Sequence, residues 1–175
     1  QSTFTPWLAA SWRLDNAQML YASWGQGAES DVVPNRAQYL NAGQALPSIK
    51  SQQFEIGLKG ARDNLTWTLA AFDITRPVYA DVPVSCDDAT GACTLQRQAD
   101  GNARHSGVEA GGTARWGPWW LGGGLQWLQA RRSGSQDTAV NGLRPVNVPA
   151  WQVKAQLRYT PPTLSTLTLG ADLAA

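Results

Sequence analysis

The chain has 175 residues, of which 15% are Asp, Glu, Lys or Arg, against about 25% in an average soluble domain. A formal net charge of +1 excludes the basic footprint of a nucleic-acid binder, and a mean hydropathy of −0.30 with no long apolar run excludes membrane-spanning helices. Nine Trp against three Phe remain to be explained, and a membrane β-barrel stays open because alternating residues average to a hydropathy near zero.

The predicted elements are all strands, near 4–14, 19–29, 50–60, 65–79, 94–116, 119–131, 149–160 and 165–175. The alternation is clearest late in the chain. In 151–159 the odd positions are Trp151, Val153, Ala155, Leu157 and Tyr159, and the even ones Gln152, Lys154, Gln156 and Arg158. Phe54, Ile56 and Leu58 alternate with Glu55, Gly57 and Lys59 in the same way, as do Leu167, Leu169, Ala171 and Leu173 with Thr168, Gly170 and Asp172. No segment carries a sustained helical repeat, so the fold class is all-β.

The connections alternate between short and long. Residues 15–18, 61–64, 117–118 and 161–163 are tight turns by composition, and 30–49, 80–93 and 132–148 are long polar stretches. In an up-and-down meander, alternate connections fall at the same end. All tight turns would then share one rim and all long loops the other, as in outer-membrane barrels. A soluble sandwich has no reason to segregate its loops.

Trp12, Trp67, Trp116, Trp119 and Trp120 lie near the tight turns, and Trp24, Trp127 and Trp151 near the opposite strand ends. Two such bands are expected where amphipathic rings meet lipid headgroups; a soluble core or a sugar-binding face would use the same residues differently. The polar faces carry Glu55, Lys59, Glu109, Arg115, Lys154, Arg158 and Asp172. A mid-bilayer Arg or Lys costs about 2–4 kcal/mol, so these face water or a polar plug. Eight strands enclose too little space for such a lumen, and the chain is expected to be one arc of a wider cylinder.

Both ends fall without a leader or a stop in the pattern, so the chain is expected to be a portion of a longer protein. Cys86 and Cys93 flank a short polar stretch and suit a disulfide-closed loop in an oxidising compartment; a metal site would need more ligands, and His105 is the single histidine. No catalytic constellation is present: there is no Cys–His pair and no nucleophile elbow. Gly122-Gly123-Gly124 lies inside a strand and reads as close packing or bending. His105 reads as structural or solvated rather than an iron ligand, and Asp87-Asp88 is an incomplete cation shell in a solvated loop.

Five segments, in order, resemble the barrel of the TonB-dependent outer-membrane receptors, especially the ferric-siderophore branch. They are FTPWLAASWRLDNAQMLYASWGQG (4–27), LPSIKSQQFEIGLKG (46–60), LTWTLAAFDITR (65–76), RHSGVE (104–109) and VNVPAWQVKAQLRY (146–159). Ile49 stands where the family usually has Glu, and Phe54 where it has Tyr. The resemblance implies a transmembrane antiparallel barrel of 22 strands closed by an N-terminal plug. Residues 1–175 would be one partial barrel domain near its C-terminal part, with the plug and the other strands lying elsewhere. It implies a bacterial outer-membrane location and active uptake of an iron–siderophore complex. Its partners would be outer-membrane lipid, the plug of the same receptor and, through that plug, TonB. The ferric siderophore would be cargo, and no cofactor, metal or nucleic acid is expected.

Iron chelates are often anionic and aromatic, which suits Arg and Tyr in the long loops and upper lumen. The candidate ligand-binding residues are Arg36, Tyr39, Arg76, Tyr79, Arg97, Arg131 and Arg144; each also reads as an ordinary solvated residue or lumen salt bridge. Two other functions compete: a small self-contained porin or adhesin whose first and last strands pair, and a soluble Trp-rich β-sandwich that binds carbohydrate. An isolated arc would expose two unpaired edges and would be expected to aggregate or close on itself.

Overall fold

The structure is a computed structural model and describes residues 3–175. Its strands are β1 (Trp7–Arg13), β2 (Gln18–Glu29), β3 (Ile49–Arg62), β4 (Leu65–Cys86), β5 (Cys93–Trp116), β6 (Trp119–Ser133), β7 (Trp151–Tyr159) and β8 (Leu169–Ala174). They form one eight-stranded antiparallel sheet in the order β1-β2-β3-β4-β5-β6-β7-β8. The order is linear: β1 and β8 are its two edges and do not pair with each other, as they would in a small closed barrel. No second sheet lies against it among the described residues, as a sandwich requires.

A single curved layer has almost no interior. Among the described residues the buried hydrophobics are only Val33, Tyr39, Ala70, Ala103 and Ala130. The apolar side chains instead form an outer face, which the pairing register defines because facing residues share a side. On it lie Leu8, Leu20, Leu58, Leu69, Ala110, Leu125, Val153 and Leu173. The same register puts Trp12, Trp67, Trp116, Trp119 and Tyr159 at the short-turn end of that face, and Trp24, Phe54, Trp127 and Trp151 at the other. At roughly 3.4 Å per residue, Trp119 to Trp127 spans about 27 Å along β6, or about 19 Å along the membrane normal at a tilt of about 45°, which sets the two aromatic ends within the roughly 25 Å apolar band and its interfaces. Neighbouring rings touch within each end: Trp119 and Tyr159 have centroids 4.5 Å apart, and Trp127 and Trp151 6.4 Å.

Trp120 is the correction to that pattern. It pairs with Arg158 and Arg115 on the concave inner face, with the Arg158 guanidinium 4.8 Å from its ring centroid. Adjacent strand residues face opposite ways, so Trp119 and Trp120 cannot both meet lipid. The inward ring lies over Gly122, where a Cβ would come within 2.5 Å of it. Close packing is thus what the first glycine of the Gly122–Gly124 run permits.

Turn chemistry sets the short rim. Asp63 adopts φ 50° and Gly117 φ 53°, the left-handed conformations of tight hairpins. The last connection, 160–168, is longer than the expected 161–163, and β8 starts at Leu169. At the other rim, 80–93 is not a loop for most of its length. β4 stays paired with β5 to Cys86, and bulges between Pro77 and Tyr79 and between Pro83 and Ser85 put both prolines where the ladder is already interrupted. Only 87–92 turns, beside the Cys86–Cys93 disulfide (S–S 2.01 Å). This hairpin extends roughly 40 Å along the strand beyond Asp73 at about 3.3 Å per residue.

Candidate functional site

The inner face and the long-loop rim form the site. Low on the concave wall, a groove of about 830 Å³ is lined by Arg13, Lys59, Thr68, Gly111, Gly124 and Lys154. Above it the Tyr21 hydroxyl donates to Glu55 Oε1 at 2.7 Å, and Lys59 Nζ lies 5.1 Å from the Tyr21 ring centroid. Glu109 faces the same way, paired with Gln126. Charged and polar side chains recur along the height of this wall, as water or a polar occupant requires, with Met19, Phe72, Trp120 and Leu128 set among them.

At the long-loop rim, residues 30–48 fold back on the β4–β5 hairpin. Leu40 N–H donates to Leu95 O at 2.9 Å and Leu95 N–H to Gln38 O at 2.8 Å, a short parallel bridge beside β5. Val33 is fully buried beneath it. The charged centre of this contact is Arg97. Its Nε and Nη2 donate to the two Asp81 oxygens at 2.7 and 3.0 Å, and its Nη1 to Asp31 Oδ2 at 3.2 Å. The Tyr39 hydroxyl donates to Asp81 Oδ2 at 2.9 Å, and the Arg97 guanidinium lies 5.9 Å from its ring centroid. Asn41 closes the cluster by exchanging bonds with the Arg97 backbone. The Arg97 hydrogen bonds hold the Asp81 carboxyl below the usual carboxylate range, and Asp81 in turn holds the Arg97 guanidinium charged.

Loop 134–150 has its own anchor. Asp100, almost fully buried, accepts from the Ser135 hydroxyl and from Gln136 N–H at 2.8 Å, with Arg132 Nη2 at 3.4 Å. Ser135 holds its carboxyl below the ordinary value first, then Gln136. Gly101, at φ 71°, lets Ser133 O come so close that a Cβ would collide with it.

The candidates chosen from sequence fall in five places. Tyr39 and Arg97 meet in the Asp81 cluster. Arg76 and Tyr79 fasten the base of loop 30–48, Arg76 pairing with Glu29 at 2.7 Å and the Tyr79 hydroxyl donating to Pro47 O. Arg144 donates to Leu128 O at 2.9 Å and, more weakly, to Val148 O and Pro149 O. Arg36 is exposed at the tip of its loop, and Arg131 lies on the outer face, opposite Arg104. Asp31, Asp81, Asn41 and Asp100 were not singled out from sequence; an isolated Asp or Asn gives no local signal of the distant partner it will meet. His105 faces inward beside Ile74, and Asp87 Oδ1 accepts from Ala89 N–H in a turn. Among the described residues no cluster of His, Cys, Asp or Glu could hold a metal ion.

The sequence matches the family described as TonB dependent receptor-like, beta-barrel, over residues 1–174. It is 30% identical over 165 residues to the ferrichrome receptor FcuA of Yersinia enterocolitica, covering 93% of this chain and 20% of that protein. The chain thus spans about a fifth of the curated relative it matches. Among solved structures, the ferric preacinetobactin receptor BauA of Acinetobacter baumannii superposes with a TM-score of 0.69 at 23% identity, over 97% of this chain and 28% of that one. The pyoverdine receptor FpvA of Pseudomonas aeruginosa gives 0.69 at 21%, over 96% and 24%. At these identities the structures speak for the fold, an arc of such a barrel. With the family match across nearly every residue, the chain belongs to the TonB-dependent receptors and forms part of their bacterial outer-membrane β-barrel.

Proposed function

We propose that this chain is a wall segment of a receptor that takes up a ferric siderophore across the outer membrane. The observation that carries the reading is the 30% identity to a ferrichrome receptor over 93% of the chain. The polar inner wall supports it. In this reading residues 1–175 are one partial barrel domain, and the plug of the same receptor fills the lumen against the groove of Arg13, Lys59 and Lys154. TonB acts through that plug, and the chain performs no covalent chemistry. The cargo meets the long-loop rim, where Arg36 is the exposed cation of loop 30–48. Tyr39, Arg76, Tyr79, Arg97 and Arg144 shape the loops around it, and Arg131 stands outside that path.

The test is iron uptake by the full-length receptor in cells lacking other siderophore receptors. Radioactive iron supplied as a hydroxamate or catecholate chelate should accumulate only when TonB is intact. Accumulation that ignores TonB, or entry of unrelated small solutes at the same rate, would replace the receptor with a passive pore.

A further inference from the structure

Arg104 and Arg131 are paired directly across β5 and β6, on the outer face of the sheet. Like charges directly opposed destabilise a sheet unless an anion lies between them. Arg104 is half-compensated, its Nε donating to Asp73 Oδ2 at 2.7 Å. Arg131 reaches no carboxylate among the described residues. Its neighbour is the neutral Gln129, whose amide oxygen, turned toward the guanidinium, accepts from Nε and Nη2 at 3.3 and 3.2 Å. Both arginines are exposed.

Their height names the missing anion. Arg131 is four residues beyond Trp127, on the same face and toward the long-loop rim. That is about 13 Å along the strand, or about 9 Å along the membrane normal at a tilt of about 45°. The aromatic ring marks the edge of the hydrocarbon, so the two guanidinium groups stand in the headgroup layer of the outer leaflet. Gln129 and Ser106 fill the row between them and the band. Forked guanidinium donors match phosphate geometry.

We propose that Arg104 and Arg131 form a binding site on the outer wall for the phosphorylated headgroup of an outer-leaflet glycolipid. The lipid's acyl chains continue down the apolar face beside Val108 and Trp127, and its phosphate bridges the two arginines. A lipid supplies both parts of this match, whereas a free anion would use only the upper half. The site is separate from the lumen and does not depend on which cargo the receptor carries.

The experiment is native mass spectrometry of the full-length receptor in detergent, titrated with diphosphorylated lipid A. The wild type should retain one lipid more than an Arg104→Gln/Arg131→Gln variant does, with apparent affinity falling about tenfold. Arg62→Gln, at the opposite rim, should bind as wild type. Arg131→Gln alone breaks no ion pair and reads the site even where the double variant does not fold. Equal binding of the dephosphorylated lipid, or undiminished binding by Arg131→Gln and the double variant, would overturn the proposal. Displacement of the lipid by millimolar inorganic phosphate would do so too, making the ligand a free anion.

Discussion

Arg97 grips both oxygens of Asp81 across the β4–β5 hairpin, at 2.7 and 3.0 Å, and extends its remaining nitrogen to Asp31 at 3.2 Å. One guanidinium therefore fastens a loop to the hairpin that stands beside it. Both side chains of the inner pair are mostly shielded, 24% and 29% exposed, so the contact is worth more than a surface ion pair. Arg97→Ala leaves the Asp81 and Asp31 carboxylates without their cation. Loop 30–48 should then open locally, at a cost of about 1–3 kcal/mol, while the transmembrane strands keep their protection. Hydrogen exchange of residues 30–48 in the full-length receptor reads this directly.

The same contact has a defined pH dependence. The folded Asp81 carboxyl lies below its ordinary value of 3.8, chiefly through the Arg97 hydrogen bonds. A depressed carboxylate contributes stability that is fully present above that ordinary value and is lost as pH falls through the folded one. Protection of loop 30–48 should therefore be flat from neutral pH down to about 4 and fall only below it. Asp81→Asn should show the opened loop already at neutral pH, with no further change on acidification to about 4. A loop that opens near pH 6 would mean another group controls it.

Reducing the Cys86–Cys93 disulfide should act on the hairpin tip alone. The bond closes a loop with a sequence separation of 7, for which chain entropy gives about 2 kcal/mol. Amides of 82–95 should exchange faster after reduction, or in a Cys86→Ser/Cys93→Ser variant. The stability of the barrel in denaturant should stay unchanged, because the tip lies far beyond the aromatic band.

The two faces differ sharply in what they tolerate. Ala155 lies on the outer face midway between Trp151 and Tyr159, and Gln156 is its inward neighbour. Ala155→Arg should destabilise the bilayer-folded receptor by about 2–4 kcal/mol, and Gln156→Arg by far less. Urea titration in lipid vesicles would compare them. Equal penalties would mean that the register is shifted by one residue, exchanging lipid and lumen.

Trp119 and Trp120 offer an optical version of that comparison. Brominated lipids should quench Trp119 at the short-turn rim and spare Trp120, which is stacked with Arg158 on the inner wall. Trp119→Phe should remove part of the lipid-dependent quenching, and Trp120→Phe should leave it intact.

The strands, their faces and the two rims were legible in the sequence because each is written locally. Side chains alternate with a period of two residues, so WQVKAQLRY names its own lipid and water sides, and Asp63-Asn64 and Gly117-Pro118 name their turns. Five segments in the right order added the family. That Trp119 rather than Trp120 joins the lipid band depends on register against β5 and β7, which no single strand contains. The extension of β4 beyond Tyr79, through Pro83 to Cys86, was likewise hidden, since bulges exist only as relations between two paired strands. The loops were decided by tertiary structure alone. Asp31 and Arg97 are 66 residues apart, and Asp100 and Ser135 35, and no periodicity links such partners. Sequence fixes what each strand turns toward lipid, because that depends on a residue and its neighbours. Which charges meet across the rim is set by how the closed loops lie on the finished wall.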